Sequence, residues 1–390
     1  MGEFLSKLPD VTVAGGFNFI EGPVGTLNVL RSSTAIVSGS VETLRLQPIW
    51  ADGTEVTIFG HLGEVAADDV FFLELDVFGG IGSATFTDLI RAQVDAAGIT
   101  DFLGVADVRG FDGNFDVLAS ADFRGSSEVD VSADQITEGV DGDGVNGLEV
   151  RADDASGSLN RIEDSVAVQV DYGAFVNGVL DANGVDGFEF FANDADGAEG
   201  NFEDITGENN FAVMIGEGVT ASFEEVQFED VVVPGDGADL TFEEALIEHG
   251  FFGDAAQIEI FESAINDLRV GADGDFFASR SFVNGVIGEE THVALISTDA
   301  ILEFEGGNHV RIDDGQLLGD AENGKEDWFE FTDGADGALR VDTFDMFNIG
   351  PVALSAAQLA SRGPDVDLPF GVDLLLEVDV NGSFDSILDT

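Results

Sequence analysis

The chain has 390 residues, with 78 Asp and Glu against 14 Lys and Arg, and a formal net charge of −64. That balance excludes nucleic acid and anionic membrane surfaces as partners, because both are held by basic patches. A hydrophobic content of 44% with 34 Phe excludes an acidic disordered chain, and the lack of Cys excludes disulfides, thiolate metal sites and a Cys nucleophile.

The first residues, Met1 to Pro9, carry no basic stretch followed by an apolar run, so no secretory signal peptide is read there. No uncharged apolar run approaches the roughly 20 residues of a membrane span, so no membrane insertion is expected. Strand patterns then dominate. Residues 54–59 (TEVTIF), 70–78 (VFFLELDVF), 165–170 (SVAVQV), 301–304 (ILEF) and 374–380 (LLLEVDV) are short, often alternating, and bounded by Gly, Asp and Asn. Three stretches read as short helices. Residues 87–97 (TDLIRAQVDAA) have a Thr cap, apolar spacing and a following Gly98; residues 242–249 and 354–362 carry weaker versions of the pattern.

Residues 141–164 (DGDGVNGLEVRADDASGSLNRIED) and 181–204 (DANGVDGFEFFANDADGAEGNFED) repeat without a gap at an offset of 40. A degraded third copy covers 320–337, and AFVNGV at 174–179 is echoed by SFVNGV at 281–286. A period of this size fits one unit of several strands. The expected architecture is mainly β: antiparallel sandwich or jelly-roll-like domains with calcium-type loops and a few short helices, with a β-solenoid array as the alternative. Composition shifts divide the chain into an N-terminal β-rich domain (1–130), the two acidic repeats (131–232) and a C-terminal β-rich domain (233–390).

The loops of the repeat carry the candidate chemistry. Asp141, Asp143 and Asn146 recur as Asp181, Asn183 and Asp186, each set on a Gly-rich turn. Calcium takes six to eight hard oxygen ligands from carboxylates, amides and backbone carbonyls. Short acidic side chains on a turn that glycine lets wrap can supply them. Glu149 and Glu189 lie on the following strand. A second cluster follows at Asp153 and Asp154, at Asn193, Asp194 and Asp196, and at Asp333 and Asp336; Asp112, Asn114 and Asp116 form a further one. All are candidate calcium ligands, although Asp, Asn and Gly are also the ordinary residues of turns. The spacing is not that of an EF-hand. His61, His249, His292 and His309 are scattered without a metal or catalytic motif, and no nucleophile elbow or phosphate loop occurs, so no enzyme is expected. The Phe residues read as core or as anchors in subunit contacts.

The end of the chain, Asn381 to Thr390, combines acidic and apolar residues, and the whole chain holds two lysines, Lys7 and Lys325. With the Asp/Gly-rich loops and the absent Cys, it resembles the acidic calcium-dependent bacterial surface proteins of type I secretion, the RTX-like adhesin and S-layer class. The nonapeptide G-G-x-G-x-D array of that class is missing; residues 79–83 (GGIGS) match it poorly. The resemblance implies export without an N-terminal signal, an extracellular or cell-surface place, and folding on Ca2+. The expected function is therefore a self-assembling structural protein ordered by calcium, an S-layer, sheath or filament subunit whose partner is itself and in some settings a cell-surface polysaccharide. The alternatives are a monomeric calcium-dependent adhesin or binding module, or a protein whose acidity is adaptation to salt.

Overall fold

The computed structural model describes residues 8–30, 33–46, 53–313 and 316–321, and the backbone of short strands between Trp328 and Asp385. It separates into two compact units, residues 1–194 and 195–390. Both are parallel β-solenoids, with about 16 turns between them. This overturns the expected antiparallel sandwich or jelly-roll and favours the solenoid alternative.

Through most of each unit a strand pairs not with its neighbour in sequence but with the next strand but one; the long strands Arg109–Arg124 and Ser127–Asp143, which pair with each other and with the strands beside them, are the main exception. In residues 1–194 one stack runs Gly16–Ile20, Ser33–Val37, Thr54–Ile58, Phe72–Val77, Arg91–Thr100, then the first halves of Arg109–Arg124 and Ser127–Asp143, then Asn146–Asp154, Val166–Ala174 and Asp186–Ala192. We call this the groove sheet. The other stack holds the intervening strands, among them Leu62–Asp68, Ile81–Thr87, Leu159–Glu163 and Val179–Asn183. The two long strands bend from one stack into the other. One coil therefore takes 16 to 21 residues. In residues 195–390 the same rule pairs Glu199–Glu203 with Thr220–Glu224, Asp239–Glu243, Gln257–Phe261, Asp275–Ser279, His292–Ile296 and His309–Asp313 in succession. Among the described residues, antiparallel pairing occurs only where Met346–Gly350 meets Val352–Ser355 and between two still shorter strand pairs.

The physical cause lies in how side chains stack. Alternation sends every second residue inward, and parallel in-register pairing sets each inward residue over its equivalent one coil away. Phe202, Phe223 and Phe242 form such a column, with ring centroids 4.8 Å apart at both steps and ring planes 14° and 8° from parallel. That spacing is the strand separation itself. The rest of the interior is Val, Leu, Ile and Ala with further buried aromatics, among them Phe86, Phe111, Tyr172 and Phe190, and a few buried Ser, Thr and Asn.

Corners repeat as strictly as strands. In the first unit Asp69, Asp88, Asp107, Gly125, Gly144, Asp164 and Gly184 all have positive φ; in the second, Asp204, Glu225, Glu244, Glu262, Arg280 and Ser297 do. The backbone N–H of such a residue donates to a carbonyl of the next coil, as Asp88 does to Ala106 and Glu244 to Phe261. Buried hydroxyls reinforce the following position: the Val145 N–H donates to Ser165 Oγ, and the Ala245 N–H to Ser263 Oγ.

No helix occurs among the described residues. Residues 87–97 hold a left-handed corner at Asp88 followed by the strand Arg91–Thr100, whose side chains alternate between exposed and buried. Residues 242–249 hold the corner at Glu244 and the strand Leu246–Phe252. In both, the apolar spacing that resembled a helix is two strands phased across a corner. Of residues 354–362, Leu354 and Ser355 end a strand and the rest lie outside the described residues.

Candidate functional site

Because strands stack in register, outward residues also form columns, and two of them on the groove sheet of residues 1–194 are acidic. One runs Glu55, Glu74, Gln93, Asp112, Asp130, Glu149, Gln169 and Glu189. The next runs Thr57, Asp76, Asp95, Asn114, Ser132, Arg151 and Asp171. Beside the second column lies a groove of about 910 Å³. Its walls include Asp76, Asp95, Asp116, Asp134, Asp153 and Asp171, with Phe78 at one end and Asn193 at the other. The coils it crosses, from that of Asp76 to that of Asn193, span roughly 29 Å at about 4.8 Å per step.

The electrostatics of this face follow from like charges stacked one strand apart. Asp76 is held above the ordinary aspartate range by burial, by the charges of Asp95 and Glu55, and by a side-chain hydrogen bond with Asp95. Glu74 is raised by burial and by Glu55, Asp76 and Asp95. Asp112 is raised by burial and by Asp130 and Asp95, against a lowering hydrogen bond from Asn114. Asn114 is the neutral spacer: its Nδ2 donates to Asp95 Oδ1 at 2.8 Å and to Asp112 Oδ1 at 3.4 Å. Arg151 is the cation among the groove-lining residues, paired with Glu149 and, at 3.6 Å, with Asp130. At the open end Phe59 and Phe78 stack face to face, centroids 4.9 Å apart, while remaining 54% and 58% exposed.

The solenoid redistributes the candidate calcium ligands. The 40-residue offset proves to be two coils of 20, so Asp141 and Asp181 are separated by Arg161, which occupies the same column on the intervening coil. Arg161 Nε lies 3.6 Å from Asp181 and 3.7 Å from Glu163. Asp141 is raised by burial and by Asp122, and lowered by Arg161 and Arg124. Asp143 and Asn183 end their strands, while Asn146 and Asp186 open the next ones, beyond the corners at Gly144 and Gly184. Glu149 and Glu189 stand in the first acidic column. Asp154 serves a turn: its Oδ1 accepts the Ser156 N–H at 2.9 Å, and that bond is the main reason its carboxyl sits below the usual range. Phe175 N–H donates to the Asp194 carbonyl. In the second unit Asp196 Oδ1 accepts the Glu217 N–H at 2.8 Å, stapling one coil to the next. Asp333 lies outside the described residues, and Asp336 opens a strand whose side chains are not described. The groove brings together Asn114, Asp116, Asp153 and Asn193 from the candidate set, and Asp112 stands beside it.

Sequence reasoning missed Asp76, Asp95, Asp134 and Asp171. Their signal was recurrence at the coil length, Asp76 to Asp95 to Asn114. It also missed that His292 and His309 are direct partners on adjacent coils. Among the described residues no group of three or more His, Asp or Glu is gathered as a ready metal site, and no helix is long and apolar enough to cross a membrane. Compared with protein families, with curated proteins and with solved structures, the chain matches none of them.

Proposed function

We propose that this chain is a calcium-dependent binding module of the surface-adhesin kind, which takes an extended polysaccharide lengthwise along the groove of residues 1–194. The observation that carries the reading is the groove itself: six aspartates, a serine and two asparagines in line along one face, with the exposed Phe78 at its end. Carboxylates and amides are acceptors and donors for sugar hydroxyls, and an exposed aromatic face suits a sugar ring. Calcium has a definite part in this reading. Carboxylates as crowded as Asp76 and Asp95 repel one another, and a hard cation that takes oxygen ligands from them and from ligand hydroxyls would relieve the crowding and bridge the two partners. The module acts outside the cell and assigns no catalysis to the chain.

The test is binding to an array of immobilised polysaccharides, with calcium and with excess EGTA. The expected result is retention in calcium, release in EGTA, and at least a tenfold loss of affinity in the Asp76→Asn/Asp95→Asn double variant. Binding indifferent to both the chelator and the double variant would overturn it. Size in calcium separates the competing readings. A monodisperse 41.0 kDa species fits the module, calcium-driven polymers fit a self-assembling subunit, and stability that needs molar salt but ignores calcium fits salt adaptation.

A further inference from the structure

One outward column of residues 195–390 changes chemistry along its length. It runs Thr220, Asp239, Gln257, Asp275, His292 and His309, one residue per coil. The 17-residue coil places two of the four histidines of the chain in direct register on a predominantly acidic surface. Both imidazoles are exposed. Their ring centroids are 5.5 Å apart and their planes cross at 79°. On the preceding coil, Asp275 Oδ1 lies 3.2 Å from His292 Nδ1.

We propose that His292 and His309 form a two-imidazole site for a divalent transition metal of the zinc class, with Asp275 as a positioning residue. The separation fits. Two imidazoles bound to one zinc at about 2.0 Å, with about 1.1 Å from each ring nitrogen to its ring centre and a tetrahedral angle between them, have centres roughly 5.1 Å apart. A carboxylate on Nδ1–H fixes the tautomer that leaves the Nε2 lone pair for a metal, the usual support of metal-bound histidine. Imidazole nitrogen selects zinc, copper and nickel over calcium, which prefers oxygen, so this site differs in kind from the groove of residues 1–194. Water completes the coordination. The strongly negative chain raises the local cation concentration, and Arg311, two residues beyond His309 on the same outward face, pairs with Asp313 at 3.9 Å. His249 is the internal control, because its Nδ1 also meets a carboxylate, Asp230 at 3.1 Å, without a second imidazole opposite.

The experiment is a Zn2+ titration of the full chain in millimolar calcium, followed by ¹H–¹³C spectra of the histidine rings. Two of the four rings are expected to shift together and saturate at one Zn2+ per chain. His292→Ala and His309→Ala should each weaken binding at least tenfold. Asp275→Ala should weaken it about tenfold while both rings still shift at saturation, and His249→Ala should leave it unchanged. Uniform shifts of all four rings, no shift at millimolar Zn2+, or wild-type affinity in the His292→Ala/His309→Ala double variant would each overturn the site. The substituted side chains point outward, and if a variant fails to fold the wild-type ring shifts alone decide.

Discussion

Asn160 is an amide buried in an apolar interior with all its hydrogen-bonding capacity used. Its Oδ1 accepts the Tyr172 hydroxyl at 2.9 Å and the Val140 N–H at 3.1 Å; its Nδ2 donates to Ser158 Oγ at 2.9 Å and to the Val179 carbonyl at 3.3 Å. The network is whole, so removing either partner has an asymmetric effect. Tyr172→Phe deletes one donor and leaves Asn160 Oδ1 bonded to Val140, which should cost about 1 kcal/mol. Asn160→Ala strands the Tyr172 hydroxyl and the Val140 N–H in the interior and should cost about 3 kcal/mol or more. Denaturant unfolding of the two variants checks the order; equal losses would mean that the hydroxyl, not the amide, anchors the network. Tyr172 itself is pushed well above the ordinary tyrosine range by burial, so it stays neutral as a donor.

The corner is an element in its own right, and its residues are chosen for backbone conformation more than for charge. Glycine takes the left-handed conformation freely, and Asp tolerates it through local hydrogen bonds. Glu225 and Glu244 do neither. Glu225 is raised by the charges of Asp204 and Glu244, its neighbours in the corner column. Glu225→Asn supplies a residue suited to the conformation and removes a charge from the column. It should raise the melting temperature at low ionic strength, and at about 1 M salt, where the screening length falls to about 3 Å, most of the electrostatic part of that gain should vanish. Close approach at the other corner is steric. A Cβ on Gly235 would stand 1.7 Å from the Gly216 carbonyl oxygen. Gly235→Ala should therefore destabilise by about 1–3 kcal/mol, the range of forced overpacking, read as a shift of the denaturation midpoint.

The same corners explain what the sequence let through. Strand content was legible, because alternation is visible one residue at a time. The coil was not. Adjacent coils conserve only a class of residue, inward apolar or left-handed-tolerant, and the length slips between 16 and 21. Asp141 faces Arg161, and Gly144 gives way to Asp164, so identity returns only at the second coil and the visible period doubles to 40. A sandwich strand and a solenoid strand alternate alike, and nothing in a single strand says which neighbour it pairs with. The groove carboxylates were hidden for the same reason: Asp76, Asp95 and Asn114 converge only through register.

At the scale of the whole molecule, the charge sets how stability depends on pH. Glu74, Asp76, Asp112, Asp141 and Glu225 all hold protons more tightly folded than unfolded. The folded state then binds more protons than the unfolded state, so stability falls as pH rises through their folded values and is regained as pH falls. Asp154 has the opposite sign: its depressed carboxyl contributes stability above the unfolded value that is lost as pH falls through the folded one. The melting temperature should therefore climb as pH falls from neutrality through the folded values of the raised carboxyls, and decline again below the ordinary carboxylate values of about 4. Salt separates the causes. For Glu74, Asp76, Asp112 and Asp141 burial is the largest cause, and for Glu225 it is the charge of Asp204. Screening weakens charge repulsion and leaves desolvation in place. Melting curves across pH should rise less steeply toward acid in about 1 M NaCl than in low salt, with part of the rise persisting; a rise that disappears altogether would mean that repulsion along the columns, and not burial against the sheet, raises these carboxyls.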